Sequence, residues 1–329
     1  MKLLFIFTGG TIGSTLNGEY ISTDSSKPYK LLDEYNKKYG IDFEYDAIQP
    51  YTELSENNTG STIRALCECV CSNLTKEYDG IIVTHGTDTL QYTSAALGYV
   101  IGNDSIPVCL VSSNYPIEHP KANGIENLRG AIRFIELGNG RGVFVSYKNP
   151  DDTIKIHRGT RLIASQAYSD SFYSIYDTYY GSFDDKYNFT FNPDFSESTD
   201  QATPLPYSKL NERSNEILRL ESYVGMAYPE LNAGTRYILL GSYHSGTTDT
   251  KSDTAKEFFK RAYNLGIKVY ITGVSRGADY ESTKLFDDLH ISSLPEASPI
   301  AMYIKLWLCE ASGIDFESVA DKSVGGDII

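Results

Sequence analysis

The chain opens with an uninterrupted apolar run, Leu3-Leu4-Phe5-Ile6-Phe7, which breaks without transition into Thr8-Gly9-Gly10-Thr11-Ile12-Gly13-Ser14. A short apolar run closed by glycines predicts a buried strand ending in a tight turn that leaves backbone N–H groups and a hydroxyl facing outward. The pattern returns at Tyr78-Asp79-Gly80-Ile81-Ile82-Val83-Thr84-His85-Gly86-Thr87-Asp88-Thr89-Leu90, followed by an alanine-rich helical run to residue 101. Between the two, residues 17–26 are polar and without period, which predicts an exposed, mobile loop. Residues 42–55 bring a short strand, and 55–59 form a polar loop before a helical pattern over 63–74, where free N–H groups can receive an anion.

A strand over 106–112, a helix over 127–137 and a strand over 142–146 complete a series of βαβ units, the signature of a parallel sheet. In such sheets ligands sit beyond the carboxyl ends of the strands, so Thr11 and Thr87 face one crevice. Residues 153–168 read as a hairpin, and 168–187, crowded with tyrosine and aspartate, as irregular. A polar stretch with Pro193, Pro204 and Pro206 separates this half from a second alternation. There, strands are predicted over 217–224, 236–241 and 267–272, and helices over 254–265, 282–289 and 299–309. The fold class is therefore α/β: a larger N-terminal domain (1–190) with a mainly parallel sheet flanked by helices, a linker (191–214) and a smaller C-terminal α/β domain (215–329).

Composition narrows the setting. A length of 329 residues suits two domains. No apolar run is long enough to span a bilayer, and the opening run carries only Lys2 before it and no small-residue cleavage site after it, which points to the cytoplasm. Cys67, Cys69 and Cys71 alternate within one segment, with Cys109 and Cys309 far away, a spacing of neither a disulfide framework nor a zinc site. The net charge of −14 disfavours a nucleic-acid partner, which needs clustered Lys and Arg.

The chemistry is narrowed by exclusion. Gly9-Gly10-Thr11-Ile12-Gly13 is not G-x-G-x-x-G, no Walker lysine follows, the histidines show no i,i+4 metal pair, and there is no G-x-S-x-G elbow. What remains is two threonines at paired strand ends, one followed by Asp88. A threonine hydroxyl attacks only when a neighbour takes or shares its proton, and Asp88 and Tyr20 are candidates for that neighbour. The alternative is that Thr11 and Thr87 simply cap the helices that follow them.

Together, Thr8-Gly9-Gly10-Thr11-Ile12-Gly13 and His85-Gly86-Thr87-Asp88-Thr89-Leu90 resemble the bacterial-type L-asparaginase family, glutaminase-asparaginases included, and within it the cytoplasmic type I-like branch. The likeness extends to the tyrosine loop, the Ser55-Glu56 loop and Leu294-Pro295-Glu296-Ala297-Ser298 before the last helix. The resemblance implies an amidohydrolase that releases ammonia from the asparagine side chain through a threonine nucleophile and an acyl-enzyme. It assigns Thr11 as nucleophile, Tyr20 as its assistant and Thr87 as the group that handles the second-step water. Asp88 receives the substrate α-ammonium, Ser55 and Glu56 hold the α-carboxylate and α-amino ends, and Gly10 belongs to the glycine-flanked donors that face the amide. It implies no cofactor and no metal, a small-molecule substrate (asparagine or glutamine), neither nucleic acid nor membrane as partner, and a homodimer or homotetramer. An amidotransferase subunit of the same fold is disfavoured, because nothing precedes the first strand and the chain is acidic.

Two positions depart from the family pattern. Aligning on Arg158-Gly159-Thr160-Arg161 puts Ala164 where the family carries the lysine of a Thr-Asp-Lys triad, and Thr247 stands where many relatives present an asparagine across the subunit interface. The triad is then incomplete unless Lys155, Lys148 or another cation reaches it. The alternative function is accordingly a catalytically weak or inactive protein that binds aspartate or asparagine in the same pocket.

Overall fold

The structure, a computed structural model, describes residues 1–9, 29–75, 77–150, 152–198, 201–275, 277 and 280–329, and the backbone alone of 14–17 and 20–23. In chain order the first half holds β1 (Lys2–Phe7), β2 (Ser14–Asn17), β3 (Tyr20–Thr23), α1 (Lys30–Tyr39), β4 (Glu44–Ile48), α2 (Gly60–Cys71) and β5 (Gly80–Thr84). It continues through α3 (Leu90–Ile101), β6 (Val108–Val111), α4 (Gly124–Glu136), β7 (Val143–Lys148), β8 (Ile154–Arg158), β9 (Gly181–Phe183) and β10 (Phe189–Phe191). One sheet runs β10-β9-β8-β7-β6-β5-β1-β4. From β4 to β7 neighbouring strands are parallel, and β8, β9 and β10 add antiparallel arms.

The opening run is apolar throughout because β1 is covered on both faces. Leu4 and Ile6 enter the core shared with α2, α3 and the last helix, while Leu3, Phe5 and Phe7 enter the core under α1 and α4. Each such side chain, fully withdrawn from water, contributes about 1.5–3 kcal/mol.

The second half holds β11 (Ile217–Glu221), β12 (Tyr237–Gly241), α5 (Asp253–Asn264), β13 (Lys268–Thr272), β14 (Ile291–Ser293) and α6 (Pro299–Ser312). Its strands form a separate parallel sheet in the order β11-β12-β13-β14. α6 begins with Pro299 behind a Ser298 cap and ends at the left-handed Gly313. Its buried face packs on α3 within the first core. Inside that contact Lys305 and Asp327, both 0% exposed, pair at 2.9 Å, and Tyr99 of α3 donates to the same carboxylate at 3.0 Å. Among the described residues no helix is long and apolar enough to cross a membrane.

Several expectations need correction. Part of the stretch read as a mobile loop is strand: Tyr20–Thr23 pairs antiparallel with Ser14–Asn17. The hairpin expected over 153–168 is displaced. β8 is its second arm and β7 its first, because after Arg158 the chain turns away, with Thr160 Oγ1 donating to Gly325 O and Arg161 Nε to Gly326 O. The irregular segment 168–187 contains β9, anchored by buried Phe183. No α-helix spans 282–289; a 3₁₀ turn, Thr283–Leu285, leads through left-handed His290 into β14, and only Phe286 of that stretch is buried.

Candidate active site

The chain leaves β1 to build β4 on one side of it, then returns to build β5 on the other. That reversal opens a crevice at the carboxyl ends of β1 and β5, where Phe7 lies opposite Thr84. Thr8 Oγ1 donates to Thr84 O at 2.7 Å, and Glu53 N donates to Thr8 O at 2.9 Å. The segments leaving β1, β4 and β5 therefore meet at one edge. Gly9 is dictated there: its φ is +98°, and a Cβ would stand 2.6 Å from Glu53 O. Gly10 and Thr11 lie outside the described residues, and of Tyr20 the backbone alone is described.

The other expected residues fall on two loops that are tied together. Ser55 and Glu56 open a 3₁₀ turn, Ser55–Asn57, just before α2. Thr87 and Asp88 sit between β5 and α3, with Asp88 exposed and Thr87 half-buried. Thr89 Oγ1 donates to Ser55 O at 2.8 Å, and Asn58 Nδ2 donates to Thr89 Oγ1 and to His85 Nε2, each at 3.2 Å. His85 donates from Nδ1 to Gly86 O at 2.8 Å, so Nε2 is free to accept. Burial lowers the His85 pKa to about 4, which keeps the ring neutral and the tie insensitive to physiological pH. Ser55 Oγ is buried and has no hydrogen-bond partner among the described residues. Asn58, Thr89 and His85 were given no role from the sequence; the signal for His85 and Thr89 was membership of the His85–Leu90 motif, and for Asn58 its place in the polar loop.

Thr87 and Asp88 line a cavity of about 310 Å³, large enough for an amino acid. Its floor comes from the ends of the neighbouring strands, Asn114 beyond β6 and Tyr147 on β7, which the rule for parallel sheets also points to. Tyr147 OH donates to Asp170 O at 3.0 Å and Asn149 Nδ2 to Phe172 O at 2.9 Å, so the end of β7 carries the far wall, which includes Ser165 and Gln166. Burial pushes the Tyr147 hydroxyl up to about 12, leaving it a neutral donor. Ser55 and Glu56 are not part of this cavity wall.

No lysine or arginine lines the cavity among the described residues. Ala164 is exposed and immediately precedes Ser165, where the far wall starts. Lys155, a cation that could have completed the triad, is instead engaged elsewhere: its side chain is 14% exposed, paired with Asp152 at 3.2 Å and Asp177 at 3.5 Å, with its ammonium over the Tyr179 ring. Lys148 lines an adjoining polar basin of about 520 Å³ that shares Asn114 and Asp170 with the cavity. Thr247 closes a turn after β12, its carbonyl accepting from Tyr243 N at 2.8 Å. Among the described residues no cluster of His, Cys, Asp and Glu could hold a metal.

Comparison with known proteins gives a consistent picture. The family model described as "Asparaginase, N-terminal" matches residues 2–194. An L-asparaginase of Thermococcus kodakarensis is 38% identical over 165 residues, 49% of this chain and 47% of that protein. A subunit of the glutamyl-tRNA(Gln) amidotransferase of Pyrobaculum aerophilum is 29% identical over 167 residues, 49% of this chain and 39% of that protein. The matched segment thus spans less than half the length of these relatives. Among solved structures, the thermostable L-asparaginase from Thermococcus kodakarensis superposes with a TM-score of 0.78 at 22% identity, covering 100% of this chain and 99% of that one. L-asparaginase I from Vibrio cholerae does so at 0.75 and 17%, covering 100% and 99%. These likenesses establish the fold.

Proposed function

The chain belongs to the asparaginase family, and we propose that it is an amidohydrolase that releases ammonia from the side-chain amide of asparagine. The observation that carries this reading is the convergence of the 55–58 and 85–89 loops at the crevice beside β1 and β5, next to a cavity lined by Thr87 and Asp88. A zwitterionic amino acid needs a carboxylate for its ammonium and N–H or hydroxyl donors for its carboxylate. Asp88, on the cavity wall, answers the first need; for the second we assign Ser55, buried and unpartnered among the described residues on the loop tied to that wall by Thr89, with Glu56 beside it.

In this reading the Thr11 oxygen attacks the amide carbon, assisted by Tyr20, and its proton leaves with ammonia. The resulting ester is attacked by water positioned by Thr87, which releases aspartate and restores the hydroxyl. Gly10 and its neighbours supply backbone donors to the oxyanion. The site belongs to a domain over 1–190, joined through 191–214 to one over 215–329, in a cytoplasmic homodimer or homotetramer whose neighbouring subunit covers the exposed wall from Ala164 to Asp170.

A second reading, a binding protein for aspartate or asparagine, is favoured by Ala164 and by the lack of any cation lining the cavity among the described residues. Ammonia release from asparagine and from glutamine, followed over hours beside a Thr11→Ala control, separates the readings. A rate equal to the control, with aspartate binding detected by calorimetry, overturns hydrolysis and supports binding. A preference for glutamine would align the chain with the amidotransferase relatives.

A further inference from the structure

A second cleft, of about 380 Å³, opens where the starts of α2 and α3, the stretch around residue 213 and α6 meet. Its walls are aromatic. Tyr92 and Tyr303 meet edge to face at 6.2 Å, and Trp307 lies against Tyr303 at 5.9 Å. The rings are fixed at their polar ends: the Tyr303 hydroxyl bonds Ser214 Oγ at 2.6 Å, and Tyr92 OH accepts from Arg219 Nη1 at 2.8 Å. A cleft whose walls are already ordered loses little on filling.

Charge defines the guest. Glu212 and Arg213 stand exposed at the rim, and neither makes an ion pair among the described residues. The Arg219 guanidinium already lies 5.9 Å from the Tyr303 ring centre, where a cationic guest would otherwise stack. Arg219 is already paired with Glu221 at 2.9 Å, so Arg213 is the cation that favours a carboxylate head, and Glu212 suits an ammonium on the same head.

We infer that this cleft binds a free aromatic amino acid, its ring among Tyr92, Tyr303 and Trp307 and its zwitterionic head at Arg213 and Glu212. The site is separate from the amide-hydrolysing cavity, yet Asn58 and Thr89 belong both to its wall and to the tie between the active-site loops. Occupancy of either site then changes affinity at the other by one shared factor.

The test is a binding measurement, so it stands apart from ammonia release. Trp307 is the only tryptophan in the chain, and its emission reports this cleft directly. L-Phenylalanine titrated into the full chain is expected to change that emission saturably, with a matching heat. Arg213→Ala is expected to weaken binding about tenfold, the worth of one charge-assisted contact. Glu212→Gln should weaken it less, and phenethylamine should bind far more poorly than phenylacetate. Both substitutions are at exposed positions, so the fold is retained. The inference is overturned by no saturable change into the millimolar range, by equal binding of phenethylamine, by binding unaffected in Arg213→Ala, or by one-for-one displacement with aspartate. An emission change that follows protein concentration without phenylalanine would also overturn it, because a second copy would then be filling the cleft.

Discussion

Thr89→Val cuts the tie between the two active-site loops while keeping the shape of the side chain. The hydroxyl donates to Ser55 O at 2.8 Å and accepts from Asn58 Nδ2 at 3.2 Å, and valine does neither. The damage is bounded, since Ser55 O still accepts from Asn58 N at 3.1 Å and Asn58 Nδ2 keeps His85. Two partly compensated losses amount to about 1–2 kcal/mol. This cost falls on the registry of Ser55 and Glu56 against Thr87 and Asp88, so the binding-competent fraction drops and the apparent affinity for L-aspartate weakens about five- to thirtyfold. Thr89→Ser keeps the hydroxyl and is expected to stay within about threefold of the parent. Calorimetric titration of aspartate into all three proteins reads this out, and thermal melts check that each is folded. Binding by Thr89→Val within twofold of the parent, or Thr89→Ser as weak as Thr89→Val, refutes the argument.

Ala164→Lys places an ammonium at an exposed position next to Ser165 of the far wall and is expected to leave the melting temperature unchanged. It should raise ammonia release from asparagine at least tenfold, and a rate equal to the parent means the missing cation is not what limits turnover. Asp327→Asn leaves Lys305 charged, fully buried and held by carbonyl oxygens alone, so unfolding in denaturant should show a loss of about 3–5 kcal/mol. Burial holds His85 near 4 and His157 near 3, below their ordinary 6.5. The unfolded chain therefore takes up protons first as pH falls below 6.5. The stability these neutral rings confer is present above that value and is lost towards pH 4, by roughly 3 kcal/mol for His85 at about 1.4 kcal/mol per unit. Melts between pH 7.5 and 5 should descend, and should descend less steeply in His157→Asn; a flat profile contradicts this.

The strands that carry the site were legible because a strand covered on both faces must be apolar throughout, and β1 and β5 announce themselves as unbroken runs ending in small residues. α1 was missed although Leu31, Leu32 and Tyr35 supply its buried stripe, because charged residues dominate the rest of its ten positions. The helix expected over 282–289 has a helical spacing of apolar residues, but β14 needs Ile291 in the sheet and the chain must turn sharply to deliver it. At the site, residue types that do chemistry could be read from two loops, but the Asn58, Thr89 and His85 tie could not. It depends on the distance between loops separated by about a whole βα unit, and no local pattern encodes that.

The Arg158 to Arg161 stretch, on which Ala164 was aligned, is accounted for by packing. Arg158 is ion-paired with Glu197 and stacks on Phe144. Arg161 is fully buried and donates from Nε and Nη2 to the carbonyls of Ser196, Gly326 and Ile328, and burial brings its pKa down to about 10. Thr160 holds Gly325, and the Gly325 backbone presses so closely on Gly98 that a Cβ at 325 would stand 2.5 Å from its carbonyl oxygen. These contacts fasten the C-terminal tail across α3 and would be needed whether or not the site turns over. A match to a family in this stretch therefore speaks for the fold, whereas Thr87 and Asp88, half-buried and exposed beside an open cavity, have no comparable packing duty. The case for chemistry rests on that second pair of residues, and the effect of a lysine at 164 measures how much of it remains.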